Sequence, residues 1–338
     1  MTPVAHVAGP LDAPHLAQLL AEQRPVIVKG LVHDWPLVHH AAASPAQAMT
    51  YLESFYNGLP VVGYTGAPEI NGRYAYDDTA TALNFDADRV QLDEYLARIR
   101  EHLGKARPPS FYIGSTDLDD YLPGLRDDNH LAIDAEAFGP TPPEVSIWIG
   151  NRTVAAAHYD MSNNLACCIA GRRRFTLFPP EQVHNLYPGP LAPTPGGQAV
   201  SMVDFAAPDF DRYPRFRTAL AAAQVADLEP GDVLFYPAMW WHQVEALDAF
   251  NIMINYWWNP APAFFDTPMH TLLHGLLSLR DRSEPEKRAW RELFDYYIFG
   301  PADRAGEHLP EAARGDLAPM DALKARRLRA NLLNRLNR

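Results

Sequence analysis

Apolar positions along this chain change period twice. Before Val145, helical and strand-like spacings alternate. Asp12 stands where it can cap a helix over 13–22. Residues 24–30 hold the run Val26-Ile27-Val28 and close on Gly30, which predicts a strand and a turn. Ser44-Pro45 opens a second helix, with proline at its first position. Residues 60–64, 73–76 and 110–114 read as short strands. Leu92, Tyr95, Leu96, Ile99 and Leu103 repeat with helical spacing.

From Val145 onward the strand signals crowd together. Residues 145–149, 164–170, 173–178, 233–236 and 251–258 are apolar runs rich in β-branched or aromatic residues. Turns of proline and glycine separate them. Glu229-Pro230-Gly231-Asp232 has proline then glycine at its centre, as a type II turn requires. Short strands with turns between them predict a sandwich or barrel-like jelly roll. After about residue 260 the period becomes helical again, over 268–279, 285–299 and 320–336. Leu323, Leu328, Leu332 and Leu336 make an apolar stripe on the last helix, with Lys324, Arg326, Arg327 and Arg329 off it. The expectation is a mainly β (α+β) domain over 1–259, flanked by N-terminal helices, and a C-terminal helical extension over 260–338.

Composition narrows the function classes. The chain has 338 residues, 47% hydrophobic and 21% charged, as a soluble globular protein does. Its 31 prolines favour a β-rich core over a helical bundle. A net charge of −12 argues against nucleic acid as the main ligand, because phosphate binding needs a basic face. No stretch is long and apolar enough to span a bilayer. Residues 1–14 carry no Lys or Arg and no long apolar run, unlike a secretory signal. The two cysteines, Cys167 and Cys168, are neighbours on a predicted strand and point to opposite faces, so they form no ordinary disulfide. Both observations predict a cytoplasmic protein.

The candidate chemistry lies in His158-Tyr159-Asp160 and in the distant His242. Residues i and i+2 of a strand share a face, so an H-x-D aims an imidazole and a carboxylate at one point. Two histidines and one carboxylate can hold one face of an octahedral Fe(II) and leave three positions open. The bland alternative for His242 is a hydrogen-bonded core histidine beside Trp240 and Trp241.

Several motifs occur in one order: His158-Tyr159-Asp160, Asn164, Gly171-Arg172-Arg173-Arg174-Phe175, Leu177-Phe178-Pro179-Pro180, Pro230 through Pro237, and Trp240-Trp241-His242. Together they resemble the JmjC/cupin-8 oxygenases, with the asparaginyl-hydroxylase branch nearest in likeness. The resemblance implies a double-stranded β-helix (jelly roll), Fe(II), 2-oxoglutarate and O₂. It implies that His158, Asp160 and His242 ligate the iron. It further implies that Tyr112, Asn164, Arg173 and Asn255 line the cosubstrate pocket, Arg173 facing the far carboxylate of 2-oxoglutarate. A homodimer through the C-terminal helices is implied as well, in agreement with the leucine stripe.

Two departures from the family pattern reshape that pocket. Arg173 stands where the family has a lysine; its guanidinium can still bind a carboxylate, but as a longer planar fork. Ala155 stands where the family tends to have a threonine, which removes one hydroxyl. The expected activity is hydroxylation of a C–H bond in a protein side chain, an amino acid or another small metabolite. N-demethylation is an alternative within the same chemistry. The rival from another class is a catalytically silent cupin that binds a metal or small ligand.

Overall fold

Alternation along the strand Asn163–Ala170 decides how the β core packs, because every residue of it is buried. Leu165, Cys167 and Ile169 turn to one side and join a cluster with the N-terminal helices. Ala166 and Cys168 turn to the other and meet Phe175, Leu177 and Val244 of a second sheet. A strand covered on both faces reads as a continuous apolar run. The adjacent cysteines are both buried and both free.

The computed structural model describes residues 1–337, and the chain divides into two compact units, Met1–Pro260 and Ala261–Arg338. Among the described residues the first unit holds two sheets. The larger has nine strands, in the order Ala5–Val7, Val26–Val28, Val233–Tyr236, Asn163–Ala170, Asn251–Trp258, Glu144–Gly150, Ser110–Asp117, Val61–Gly66 and Asp86–Val90. The smaller has six: Thr2–Pro3, Gln224–Leu228, Arg173–Phe178, Trp241–Ala246, Val154–Tyr159 and Arg73–Tyr74. Most neighbours are antiparallel; Thr2–Pro3, Ala5–Val7 and Arg73–Tyr74 each add a parallel pair. This is the jelly-roll sandwich that the strand pattern predicts.

The helices Ala13–Glu22, Pro36–Ala43, Pro45–Glu53 and Leu92–His102 cover the outer face of the larger sheet. Asp12 caps the first of them by accepting the His15 N–H at 3.0 Å, and Ser44 caps the third by accepting the Gln47 N–H at 3.2 Å. Pro36–Ala43 lies outside the sequence reading; its N-cap is Trp35, whose side chain makes no capping bond. The outer face of the smaller sheet is polar where Arg174 pairs with Asp227 at 2.7 Å.

The Glu229–Asp232 turn ties the two sheets together. Gly231 has φ +100°, a conformation that favours glycine, as the predicted turn needs. The buried Asp232 carboxylate accepts the N–H groups of Glu229 at 2.9 Å and Gly30 at 3.0 Å, and pairs with Lys29 Nζ at 2.5 Å.

In the second unit, helices span Pro268–Ser278, Glu284–Phe294 and Ala322–Leu336, and the second runs on into a π-turn at Asp295–Phe299. None of these helices contains a buried residue. Among the described residues no helix is long and apolar enough to cross a membrane.

Candidate functional site

Two adjacent strands of the smaller sheet place the histidines. Val154–Tyr159 and Trp241–Ala246 run antiparallel, and their register sets His158 directly opposite His242. The imidazole centroids lie 4.4 Å apart. The register slips by one residue between Ala155 and His158, a bulge of the kind that re-aims side chains beside active sites.

The two rings are tied in the same way. His158 Nδ1 lies 2.9 Å from the Ala156 carbonyl, and His242 Nδ1 lies 2.9 Å from the Trp240 carbonyl. A carbonyl oxygen can only accept, so each Nδ1 carries the proton and donates it. Each Nε2 is left with a free lone pair, the form of imidazole that ligates metals. Burial, and His158 beside it, push the His242 imidazole pKa down to about 4, with Asp160 opposing.

Asp160 arrives differently from the sequence expectation. The strand ends at Tyr159, and Asp160 is the first residue beyond it. What fixes it is the Asp160 carbonyl, which accepts the Met239 N–H at 2.7 Å. That bond joins the end of one ligand strand to the turn that opens the other. Met239 has φ +68°, a strained conformation for a side chain of its size. Asp160 Oδ2 comes within 3.5 Å of His242 Nε2. One ligating atom from each of His158, Asp160 and His242 lies within 4.8 Å of the others, so the three could hold one metal ion.

These residues sit at a cavity of about 290 Å³. Tyr112 and Asn255 line it; Asn164 and Arg173 are buried and stand outside its lining. The side-chain amides of Asn164 and Asn255 are hydrogen-bonded to each other at 2.8 Å. Tyr112 pairs with Gly150 across neighbouring strands. A Cβ on Gly150 would fall 2.7 Å from the Phe111 carbonyl, so glycine is what lets this strand approach. Burial pushes the Tyr112 hydroxyl up to about 12, with the adjacent Arg173 guanidinium opposing.

Arg173 is 1% exposed, and its Nε and Nη2 have no hydrogen-bond partner. No carboxylate among the described residues forms an ion pair with it, although its neighbours Arg172 and Arg174 pair with Asp248 and Asp227. A buried cation without a counterion is costly, which points to an anionic ligand.

Several lining residues escaped the sequence reading. Tyr64, Tyr74, Phe85, Trp148 and Trp257 form an aromatic wall. Tyr236, whose ring lies 4.6 Å from that of His242, closes the floor. Gln198 comes from the 188–201 loop, which is pinned at its base by the Pro188–Ser201 bridge and by the Ser201 N–H donating to the Ala157 carbonyl at 2.7 Å. The Gln198 Oε1 is buried without a partner. Ala155 lines the cavity too, so the missing hydroxyl noted in the sequence is missing from its wall. Thr153, two residues earlier, is buried and stands outside the lining.

Comparison with known proteins gives the family. The family described as a cupin-like domain matches residues 13–264. HSPB1-associated protein 1 of Mus musculus is 36% identical over 247 residues, covering 71% of this chain and 49% of the relative. Jumonji C domain-containing protein 5 of Drosophila melanogaster is 28% identical over 262 residues, 73% of this chain and 59% of the relative. Lysine-specific demethylase JMJ31 of Arabidopsis thaliana is 27% identical over 263 residues, 67% of this chain and 46% of the relative. The chain therefore spans about half the length of these relatives. With a match that runs from the first helix through the last strand of the jelly roll, the chain belongs to the cupin-like, JmjC family of iron- and 2-oxoglutarate-type oxygenases.

Proposed function

We propose that the protein is an Fe(II)- and 2-oxoglutarate-dependent dioxygenase that hydroxylates a C–H bond of a protein side chain, an amino acid or another small metabolite. The observation that carries this reading is the convergence of His158, Asp160 and His242 at one cavity, with both Nε2 lone pairs free. Two neutral imidazoles and one carboxylate suit Fe(II) and leave three positions open. The unpaired nitrogens of buried Arg173 suit the far carboxylate of a 2-oxo acid.

When bound, the iron and the 2-oxo acid supply the oxidising chemistry with O₂. The protein binds, orients and excludes water. His158, Asp160 and His242 would hold the iron on one face. Tyr112 keeps its proton at neutral pH and can donate it in a hydrogen bond to a cosubstrate carboxylate. Arg173 would neutralise the distal carboxylate, which requires the cosubstrate to reach past the present cavity lining. Asn164 and Asn255 stiffen the pocket through their mutual hydrogen bond. The aromatic wall keeps bulk water from the reacting atoms, and Gln198 Oε1 offers an acceptor to a substrate N–H or O–H.

Succinate release tests the reading. Wild-type protein supplied with Fe(II), 2-oxoglutarate and O₂ is expected to form succinate, and Asp160→Ala is not. Succinate at the same background level in both would favour the second reading, a silent cupin. The observation in its favour is that Arg173 stands outside the cavity lining.

We further propose that the chain is a homodimer joined through its C-terminal helices. The support is that those helices bury no residue, leaving Leu277 79% and Phe299 75% exposed. Apolar faces of this extent call for a partner surface. A cytoplasmic location is proposed on the two free, buried cysteines. The net charge of −12 supports partners other than nucleic acid.

A further inference from the structure

On the surface, a seven-residue segment gathers a second set of donors. One ligating atom from each of His33, Asp34 and His39 lies within 4.8 Å of the others, and all three residues are exposed. The His33 and His39 rings stand 5.9 Å apart at 72°, and His33 Nδ1 is 3.3 Å from Asp34 Oδ1. We propose that these three residues form a surface site for a divalent cation of the zinc, nickel or copper class, separate from the His158–Asp160–His242 centre.

The backbone beneath the donors is fixed before any ion arrives. The Val32 N–H donates to the Gly231 carbonyl at 3.0 Å, and the His33 N–H to the Gly30 carbonyl at 3.1 Å. Gly231 packs directly under His33; a Cβ there would lie 3.1 Å from His33 Cα. Trp35 is buried in the main core and anchors the segment from below. His39 lies in the first turn of Pro36–Ala43, where its N–H donates to the Trp35 carbonyl at 3.1 Å. Helical side chains lean toward the helix N-terminus, which brings the His39 ring over the turn that carries His33 and Asp34. His40, next in sequence, is engaged elsewhere: it stacks on Tyr51 with centroids 4.4 Å apart.

Donor chemistry selects the ion. Two imidazoles and a carboxylate favour borderline transition metals, whereas Mg²⁺ and Ca²⁺ prefer all-oxygen sites. Three protein donors leave at least one position for water or for a donor from another molecule. Other exposed histidine–carboxylate pairs, His15–Asp12 and His270–Asp266, bring only two residues together.

Equilibrium dialysis of the full chain against Zn²⁺, with metal counted by mass spectrometry, tests the site. Wild type is expected to bind two zinc ions per chain. His33→Ala/His39→Ala is expected to bind one, the remaining ion showing that the fold and the inner centre survive. In ¹³C-histidine spectra, Zn²⁺ beyond the first equivalent should shift the His33 and His39 signals and leave those of His15 and His270 in place. Equal zinc stoichiometry in wild type and the double variant, or His33 and His39 signals that Zn²⁺ does not shift, overturns the proposal. Because only exposed residues are altered, this outcome is independent of whether the inner centre turns over 2-oxoglutarate.

Discussion

His158 and His242 face each other across neighbouring antiparallel strands, and each gives its Nδ1 proton to the carbonyl two residues before it, Ala156 and Trp240. One strand pairing therefore sets ring position, tautomer and ligand direction together. The rest of the site depends on that pair, and several measurable consequences follow from the residues around it.

Arg173→Ala should weaken 2-oxoglutarate binding. A charge-assisted hydrogen bond is worth roughly 1.5–3 kcal/mol, which corresponds to about ten- to a hundredfold in affinity. Calorimetric titration on the metal-loaded protein measures it. Arg173→Lys is more revealing: if lysine matches the parent only when Ala155 is also changed to Thr, the two departures act together. Affinity unchanged in Arg173→Ala would remove Arg173 from the pocket.

In the metal-free chain, stability should fall as pH falls from about 6.5 towards 4. The His242 imidazole is held down to about 4 by burial and by His158, against 6.5 for an ordinary histidine. Between those values the unfolded chain binds more protons than the folded one, so acid favours unfolding. The loss is on the order of 3 kcal/mol by the acid end of the window. Urea unfolding at about pH 7 and about pH 4.5 would show it. His242→Gln should flatten the dependence; curves that stay parallel would assign it to other groups.

Asp232→Ala should cost roughly 3 kcal/mol, because it strands two backbone N–H groups and Lys29 at the turn joining the sheets. Asp232→Asn, which keeps one acceptor oxygen, should recover part of the loss. Thermal unfolding of the two variants ranks them, and equal melting temperatures for both and the parent would show that the turn does not depend on this carboxylate.

Charges placed in the terminal stripe, Leu328→Asp and Leu332→Asp, should turn a dimer into monomers while the jelly roll stays folded. Light scattering decides it. A wild-type mass near one chain at micromolar concentration defeats the dimer. Loss of the whole fold in the variant would instead make the helix part of its own subunit's core.

Much of the fold was legible because its central strands are buried on both faces. Runs such as 164–170 and 251–258 declare themselves by continuous apolar character, and Asn163–Ala170 and Asn251–Trp258 are the strands observed. Edge strands were legible only in part: Arg73–Tyr74 falls in the run read over 73–76, whereas Asp86–Val90 escaped. Asp86–Val90 carries two aspartates and an arginine and lies almost wholly exposed, so its conformation comes from pairing with Val61–Gly66 and not from its own pattern. The residues of the site divide in the same way. His158 and Asp160 are close in sequence, and their spacing shows a possible ligand pair. His242 was a candidate ligand on its own context, with a core histidine as the alternative; the resemblance strengthened it, and the cavity wall needed the fold. Tyr64, Phe85, Trp148, Gln198 and Trp257 come from separate segments, and no local spacing records that they converge.

The most direct test of the central claim is the iron content of the purified chain after anaerobic loading with Fe(II) and removal of free metal. The account predicts one iron per wild-type chain and almost none in Asp160→Ala, which lacks the only anionic ligand of the centre. Iron retained by Asp160→Ala at the wild-type level would contradict it.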